Sequence, residues 1–418
     1  MITNQGTKRI AFVSHVLPGF ANGQGVVLAR LLTGADPESI RFITSTPLEH
    51  GTSAHHQQHR SEQPPVYQCR TPWLLRRVRR TRLFHPWVFR AAVQSRAKVI
   101  AKAAAASTCD VLVGCTGGDL LDVPATVMAG RITRLPVYLY YFDDYPEQWG
   151  IRSNGWRHSF ATTQQATIEA RLASSVSGII VPNERLADDV TTRLSGSVPV
   201  AVVRNPVDLR RYETRPQTLR PPAFKTGDSA QPRPQRILYS GTVYSAQADA
   251  LDNVIQATRQ LNAAGRDIEV HIYTVNADEL RGKSDFPPHV SIHDPVAPNC
   301  IAEIQASADV LLLPLSFTCT YPNLIRTSCP GKFGEYLAAG TPMFIHAPPT
   351  SFPITFARHH GCAHVCDTPN VNDISQRLAE LLDNPARAAD FVAKAKETAR
   401  LFDLPVNQKT FFSFVTQG

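Results

Sequence analysis

No stretch of the 418 residues is apolar for long enough to cross a bilayer. Runs such as 137–142 and 308–313, the latter broken by Asp309, fall far short of the ~18 residues a spanning helix needs. That excludes an integral helical membrane protein. The start of the chain lacks an export signal: Lys8 and Arg9 precede an Ile-Ala-Phe-Val run too short for a signal core, with no cleavage site after it, so the expected location is the cytoplasm. The eight cysteines contain no C-x2-C pair, and without export they are expected as free thiols. Charge is sparse at 19%, yet 43% of residues are hydrophobic and the net charge is only +8, which excludes a disordered chain.

Acidic residues are almost missing from one region. Between Arg60 and Lys102 eleven basic residues face a single acid, Glu62, a local net of +10 that leaves the rest of the chain slightly acidic. A patch of this kind attracts polyanions. Residues 73–87 interleave Trp73, Phe84 and Trp87 with arginines, a pattern that suits an anionic bilayer, so residues 70–102 are expected to hold the protein at the inner face of the membrane. No nucleic-acid-binding module accompanies the charge, and none is expected as a partner.

The length calls for about two to four domains. Short β-rich runs alternate with Ala/Leu-rich helical pattern, at 10–14, 40–44, 111–115, 137–141, 178–181 and 200–203, then at 237–240, 269–273, 290–293, 310–313, 343–346 and 363–366. Helical pattern covers 26–32, 251–264, 332–339 and 371–382. Such alternation predicts parallel sheets with helices on both faces. Residues 9–14 and 236–241 open the two halves alike, with a short apolar run ending at small residues. The division read from this is a Rossmann-like domain over 1–208, a linker over 209–235, a second Rossmann-like domain over 236–395, and a C-terminal helix over 396–418 crossing back to the first. The linker carries five prolines and no apolar periodicity. Two histidine-rich stretches invite a metal reading. His50, His55, His56 and His59 lie in a polar loop pattern, and the spacing of Cys362, His364 and Cys366 is explained by one face of a strand, so no metal is expected.

Ligands of doubly wound sheets bind beyond the C-terminal strand ends. The segment Thr327-Ser-Cys-Pro-Gly-Lys-Phe-Gly-Glu-Tyr-Leu-Ala-Ala-Gly-Thr-Pro342 starts a helix near Lys332, after Pro330 and Gly331, and stops it at Gly340. Unpaired first-turn amides and the Lys332 charge suit a diphosphate, and Glu335, one turn in, suits a ribose diol. The segment closely resembles the P-x-K-x-x-E-Y-(L/M)-A-x-G-x-P signature of GT-B glycosyltransferases, in particular the family 4 group that builds bacterial cell-surface polysaccharides. Asn205-Pro-Val-Asp208 resembles the N-G-V-D of that family, residues 178–183 its preceding strand, Leu238-Tyr-Ser-Gly241 its second-domain opening strand, and 311–315 the strand before the signature. Residues 19–25 resemble its Gly-rich loop, and Tyr140-Tyr-Phe-Asp-Asp-Tyr-Pro146 its D-x-(W/Y)-P stretch.

The resemblance implies an α/β GT-B fold, two Rossmann-like domains facing across a cleft, and transfer of a sugar from a UDP- or GDP-sugar to a hydroxyl of a glycan or lipid-linked acceptor. It implies retention, with no cofactor and no metal. Asp143, Asp144, Lys332 and Glu335 are the implied catalytic residues, Asp143 and Asp144 binding the acceptor or serving as base. His15, Gly23, Gln24, Gly25, Gly241, Thr242, Asn323, Arg326, Pro330, Gly331, Phe333 and Tyr336 are the implied substrate contacts. Two features depart from the family. Its E-x7-E pair lacks the first Glu, since Thr327 stands there, and the Arg and Lys that follow the second-domain glycine are replaced by Thr242-Val-Tyr-Ser245. Two rival functions remain open at this point: a sugar-nucleotide epimerase of the same fold, and a non-catalytic nucleotide-sugar-binding homologue.

Overall fold

The computed structural model describes residues 8–19, 23–45, 64–68, 86–117, 121–147, 168–213, 233–283 and 286–417. Two compact units divide the chain, one of Met1–Arg204 with Pro405–Gly418, the other Asn205–Leu404.

Unit 1 holds a seven-stranded sheet: β1 (Ile10–Val13), β2 (Ile40–Thr44), β3 (Val66–Gln68), β4 (Val111–Cys115), β5 (Val137–Tyr140), β6 (Gly178–Val181) and β7 (Val200–Val202). Their order is β3-β2-β1-β4-β5-β6-β7, and every pairing is parallel. Ile10 and Phe12 of β1 join one core cluster while Ala11 and Val13 join another. Successive side chains therefore enter opposite faces, and because helices cover both, the strands read as continuous apolar runs. Helix Glu184–Arg193 starts where Asn183 Oδ1 accepts from the Leu186 amide at 2.9 Å, an N-cap, and has Glu184 in its first turn and Arg193 in its last.

The C-terminal helix Leu404–Thr416 belongs to unit 1. Its Phe411 is fully buried, with ring centres 5.7 Å from Phe12 and 6.1 Å from Tyr140, and burial of that kind is worth roughly 1.5–3 kcal/mol. Phe414 sits edge-on to Tyr138, and a Cβ at Gly178 would strike it. Gln408 donates to the carbonyls of Leu31 and Thr33 at 3.1 and 2.7 Å.

Unit 2 holds a six-stranded parallel sheet: β8 (Gln235–Ser240), β9 (Ile268–Tyr273), β10 (Val290–His293), β11 (Val310–Pro314), β12 (Met343–His346) and β13 (His364–Cys366), in the order β10-β9-β8-β11-β12-β13. Asp309, at the head of β11, accepts both guanidinium arms of Arg233 at 2.9 Å and the Arg236 amide at 2.8 Å, which explains a carboxylate inside an apolar run. Helices Val371–Asp383 and Pro385–Ala399 open on Asn370 and Asn384 caps.

The structure changes several sequence-based expectations. The first division falls after Arg204 rather than at 208, because Asn205 and Val207 are packed within unit 2: Val207 and Phe402 are fully buried, and their backbones bond at 2.8 Å. The second unit runs on to Leu404 rather than stopping at 395, since helix Pro385–Ala399 packs on helix Lys332–Ala338. Most of the 209–235 linker lies outside the described residues. Strand β3 went unread because only three residues, one of them exposed, carry it. Cys362 joins the cluster containing Phe352, and Cys366 the opposite one containing Phe344, so the two do not share a face as expected. Among the described residues all seven cysteines are free and no His/Cys/Asp/Glu group is arranged for a metal.

Candidate functional site

Strand order reverses between β8 and β11, and the two segments that follow those strands meet there. At the end of β8 the chain turns on Gly241, whose φ of 141° suits glycine. A Cβ at Gly241 would also collide with the Lys332 ammonium. Lys332 opens helix Lys332–Ala338, and its Nζ donates to Tyr239 Oη at 2.8 Å while lying 4.0 Å from that ring's centre. The Tyr239 hydroxyl in turn donates a hydrogen bond to the Thr242 carbonyl at 2.7 Å, so Thr242 acts through its backbone. Burial pulls the Lys332 pKa down to about 7, and the nearby Glu335 offsets only part of that. No carboxylate pairs with this ammonium among the described residues, so a bound anion would supply the missing partner. The family's usual cations after the glycine are absent here, and Lys332 brings a positive charge to the same turn from the other side. The helix has only seven residues, so this ammonium, rather than a dipole, is the dominant charge.

Glu335 is 8% exposed, and its Oε2 accepts from Gln305 Nε2 at 2.9 Å. Gln305 is itself fully buried and accepts from Tyr212 Oη at 3.2 Å. Gln305 and Tyr239 are participants that sequence reasoning missed. For Tyr239 the signal available in the sequence is its place two residues before Gly241. Asn323 accepts from Arg326 at 3.2 Å within helix Pro322–Thr327. Thr327, where the family carries its first Glu, is 1% exposed and donates to the Asn323 carbonyl at 2.7 Å. That position is closed into the helix. Pro330 and Gly331 form the turn before Lys332, the Pro330 carbonyl accepting from the Phe333 amide at 2.8 Å.

Two expected contacts are corrected. Phe333 is fully buried among Phe352, Phe356 and Phe402. Tyr336 is also fully buried, its hydroxyl accepting from the Ser240 amide at 2.9 Å. Neither offers surface to a ligand, and both shape the helix against its sheet. The segment after β11 is fixed separately, Asp249 accepting from the Phe317 and Thr318 amides at 2.9 and 3.0 Å.

In unit 1 the corresponding reversal lies between β1 and β4. His15 follows β1, with Nδ1 3.4 Å from Ser45 Oγ beyond β2. Gly23, Gln24 and Gly25 start helix Gly23–Leu31, and residues 20–22 of the Gly-rich loop lie outside the described residues. Gly23 is exposed, Gly25 is buried, and Gln24 is half-buried with its amide against Gly117, the turn after β4, where a Cβ would collide with it. Beyond β5, Asp143 is half-buried, and burial together with neighbouring Asp144 pushes its pKa up to about 6. No side chain bonds to Asp143 among the described residues. Asp144 differs: it is 2% exposed, accepts from Arg193 at 3.1 Å and from the Glu147 amide at 3.1 Å. Arg193 also grips Glu169 with bonds of 2.5 and 3.0 Å. Asp144 is thus tied into a buried ion cluster, which corrects its reading as a second acceptor-binding carboxylate.

The fold has known parallels. It resembles a glycosyltransferase from Rickettsia africae ESF-5 at TM-score 0.63 and 10% identity over 98% of each chain. It resembles HepE of Anabaena, solved with UDP-glucose, at 0.62 and 12% over 97% of this chain and 99% of that one. It resembles sucrose-phosphate synthase from Thermosynechococcus elongatus at 0.66 and 11% over 98% of each. At these identities the likeness concerns the fold, two Rossmann-like domains of the GT-B type. No curated protein matches by sequence. Residues 234–384 match the family model for glycosyl transferases group 1, so the second unit carries a domain of that family within a chain of GT-B fold.

Proposed function

We propose that the protein transfers a sugar from a UDP- or GDP-sugar to a hydroxyl of a glycan or lipid-linked acceptor, with retention, in cell-surface glycan synthesis. The observation that carries this is the Lys332 ammonium, held by Tyr239 above Gly241 with no carboxylate partner among the described residues. A nucleoside diphosphate leaving group needs a preorganised positive charge, and one is set at the reversal point of the sheet in the group 1 domain. HepE, a structural neighbour, was solved with UDP-glucose, which supports that class of donor. Glu335, steadied by Gln305, is assigned to the ribose. Asp143 and Gln24 are assigned to the acceptor side because both are half-buried polar groups to which no side chain bonds among the described residues. In retention the leaving phosphate oxygen takes the acceptor proton, and Asp143 orients that hydroxyl. No metal is needed in this scheme, since Lys332 supplies the charge.

We place the protein at the inner membrane surface through residues 70–102. Most of that segment lies outside the described residues. In helix Pro86–Ala106, Arg90, Lys98 and Lys102 face solvent, but Arg96 turns inward to Asp122 at 2.7 Å, so the patch is one charge weaker than its composition. Among the described residues no helix is long and apolar enough to cross a membrane.

The test is thermal stabilisation by a panel of nucleotides and nucleotide sugars, since a ligand at 100 times its Kd adds about 2.7 kcal/mol. Stabilisation by one diphosphonucleoside series, lost in Lys332→Met, is the expected result. No stabilisation by any of them contradicts the proposal. A second reading, donor binding without transfer, draws on Thr327 being closed into its helix, and detection of a transferred sugar dismisses it.

A further inference from the structure

The short turn that leads into Lys332 is closed by the Phe333 amide on the Pro330 carbonyl at 2.8 Å. Ser328 is extended, and Pro330 has no amide hydrogen to donate. A side chain from far away in sequence supplies an anchor: Asn205 Nδ2 donates to the Cys329 carbonyl at 2.7 Å. Asn205 is 7% exposed, so this bond is shielded from water. Two residues on, Val207 reaches the other end of the same turn. A Cβ at Gly334 would stand 2.9 Å from the Val207 side chain and 2.9 Å from Phe402, which means the helix is pressed directly on that wall. Residues 205 and 207 therefore brace the segment 329–334 at both ends, with Lys332 between them. The backbone of Val207 is fixed in turn by bonds to Phe402 and Leu404 at 2.8 and 2.9 Å.

We infer that Asn205 is a positioning residue for Lys332: by holding the Cys329 carbonyl it sets the ammonium over Gly241, at the distance from Tyr239 that keeps it ready for a diphosphate. Among the described residues Asn205 makes no hydrogen bond to Lys332 and bonds instead to the Cys329 carbonyl, so it acts through the turn. This rests on the assignment of Lys332 to the nucleotide, and it adds a residue that lies outside the signature segment. The alternative is that Asn205 merely stabilises unit 2, and the two differ in what they change. A stability role lowers the melting temperature and leaves the folded protein's nucleotide site as it was. A positioning role weakens nucleotide binding and returns the Lys332 titration toward that of an ordinary lysine, because the ammonium leaves its desolvated seat.

The experiment measures UDP and GDP binding by calorimetry from pH 6.5 to 9 in the full chain. Wild type, Lys332→Met, Asn205→Leu, Asn205→Ala and, as a core control, Ile354→Val are compared. Leucine keeps the branched heavy-atom shape and neutrality of Asn205 while removing its donor, and it remains informative where alanine fails to fold. Loss of one shielded hydrogen bond predicts binding about 2- to 10-fold weaker at pH 7 in both Asn205 variants. The midpoint of the pH dependence should rise above the wild-type value near 7, and Ile354→Val should lose stability without either change. Folded Asn205 variants with wild-type affinity and midpoint overturn the inference while leaving Lys332 in place. If Lys332→Met itself binds like wild type, the assignment of Lys332 fails and the inference falls with it.

Discussion

Nucleotide affinity should depend on pH through a single group, Lys332. Its ammonium is desolvated between Tyr239 and Gly241, and its pKa lies near 7 instead of the usual lysine range. A diphosphate beside it restores the charged form, so binding takes up a proton and weakens as pH rises through 7. The free protein is about half protonated at Lys332 at pH 7 and about 3% at pH 8.5, so the Kd for UDP or GDP should rise about 16-fold over that interval. Calorimetry in two buffers of different ionisation enthalpy should show close to one proton taken up per nucleotide at the upper pH. In Lys332→Met both the slope and the proton uptake should vanish, with affinity at pH 7 lower by the ~1.5–3 kcal/mol of a charge-assisted hydrogen bond. Lys332→Arg should stay flat across the range because guanidinium does not titrate there. Wild-type binding that is flat from pH 7 to 8.5, or a slope that persists in Lys332→Met, would refute the reasoning.

Asp143→Asn should remove the acidic limb of the pH–rate profile, which the wild type should show with a midpoint near 6. The raised pKa means that the protonated form is favoured by folding, so stability from this group is complete below about pH 4 and lost as pH rises through 6. The same variant should therefore be more stable than wild type at pH 7.5, by at most about 3 kcal/mol, as a melting curve will show. Glu335→Ala should weaken nucleotide binding and Glu335→Gln less so, while deoxyribonucleotides should no longer distinguish Glu335→Ala from wild type. Arg193→Met leaves Asp144 and Glu169 buried without their cation and should cost about 3–5 kcal/mol in denaturant unfolding. Vesicles with anionic lipid should bind the protein and neutral ones should not, and Arg76, Arg77, Arg79 and Arg80 changed to Gln should release it, as co-sedimentation will show.

Much of the architecture was legible because buried parallel strands are unbroken apolar runs, and punctuation by Gly, Pro and Asn marks their ends. All twelve expected strands form, within two residues of their ends. The helix at Lys332 and its stop at Gly340, where φ is 70°, follow directly from the segment's residues. What stayed hidden depends on distant partners. Asp143 and Asp144 are neighbours of one residue type, and only Arg193, placed by a different helix, separates the unpaired carboxylate from the one held in an ion cluster. Phe333 and Tyr336 lie in the signature beside Lys332, yet helical spacing turns them into the core while Lys332 turns to the strand ends. Tyr239, Gln305 and Asn205 sit in three separate segments, and nothing in their local sequence states that they converge on 329–335.

The most direct measurement of the central claim is release of nucleoside diphosphate from a panel of UDP- and GDP-sugars, in wild type and Lys332→Met, with mass spectrometry of any acceptor present. The account predicts that wild type turns over one donor and places its sugar on a hydroxyl, and that Lys332→Met does so at least about 10-fold more slowly at pH 7. Turnover in Lys332→Met equal to wild type, or no nucleotide bound and none released from any donor, would contradict it.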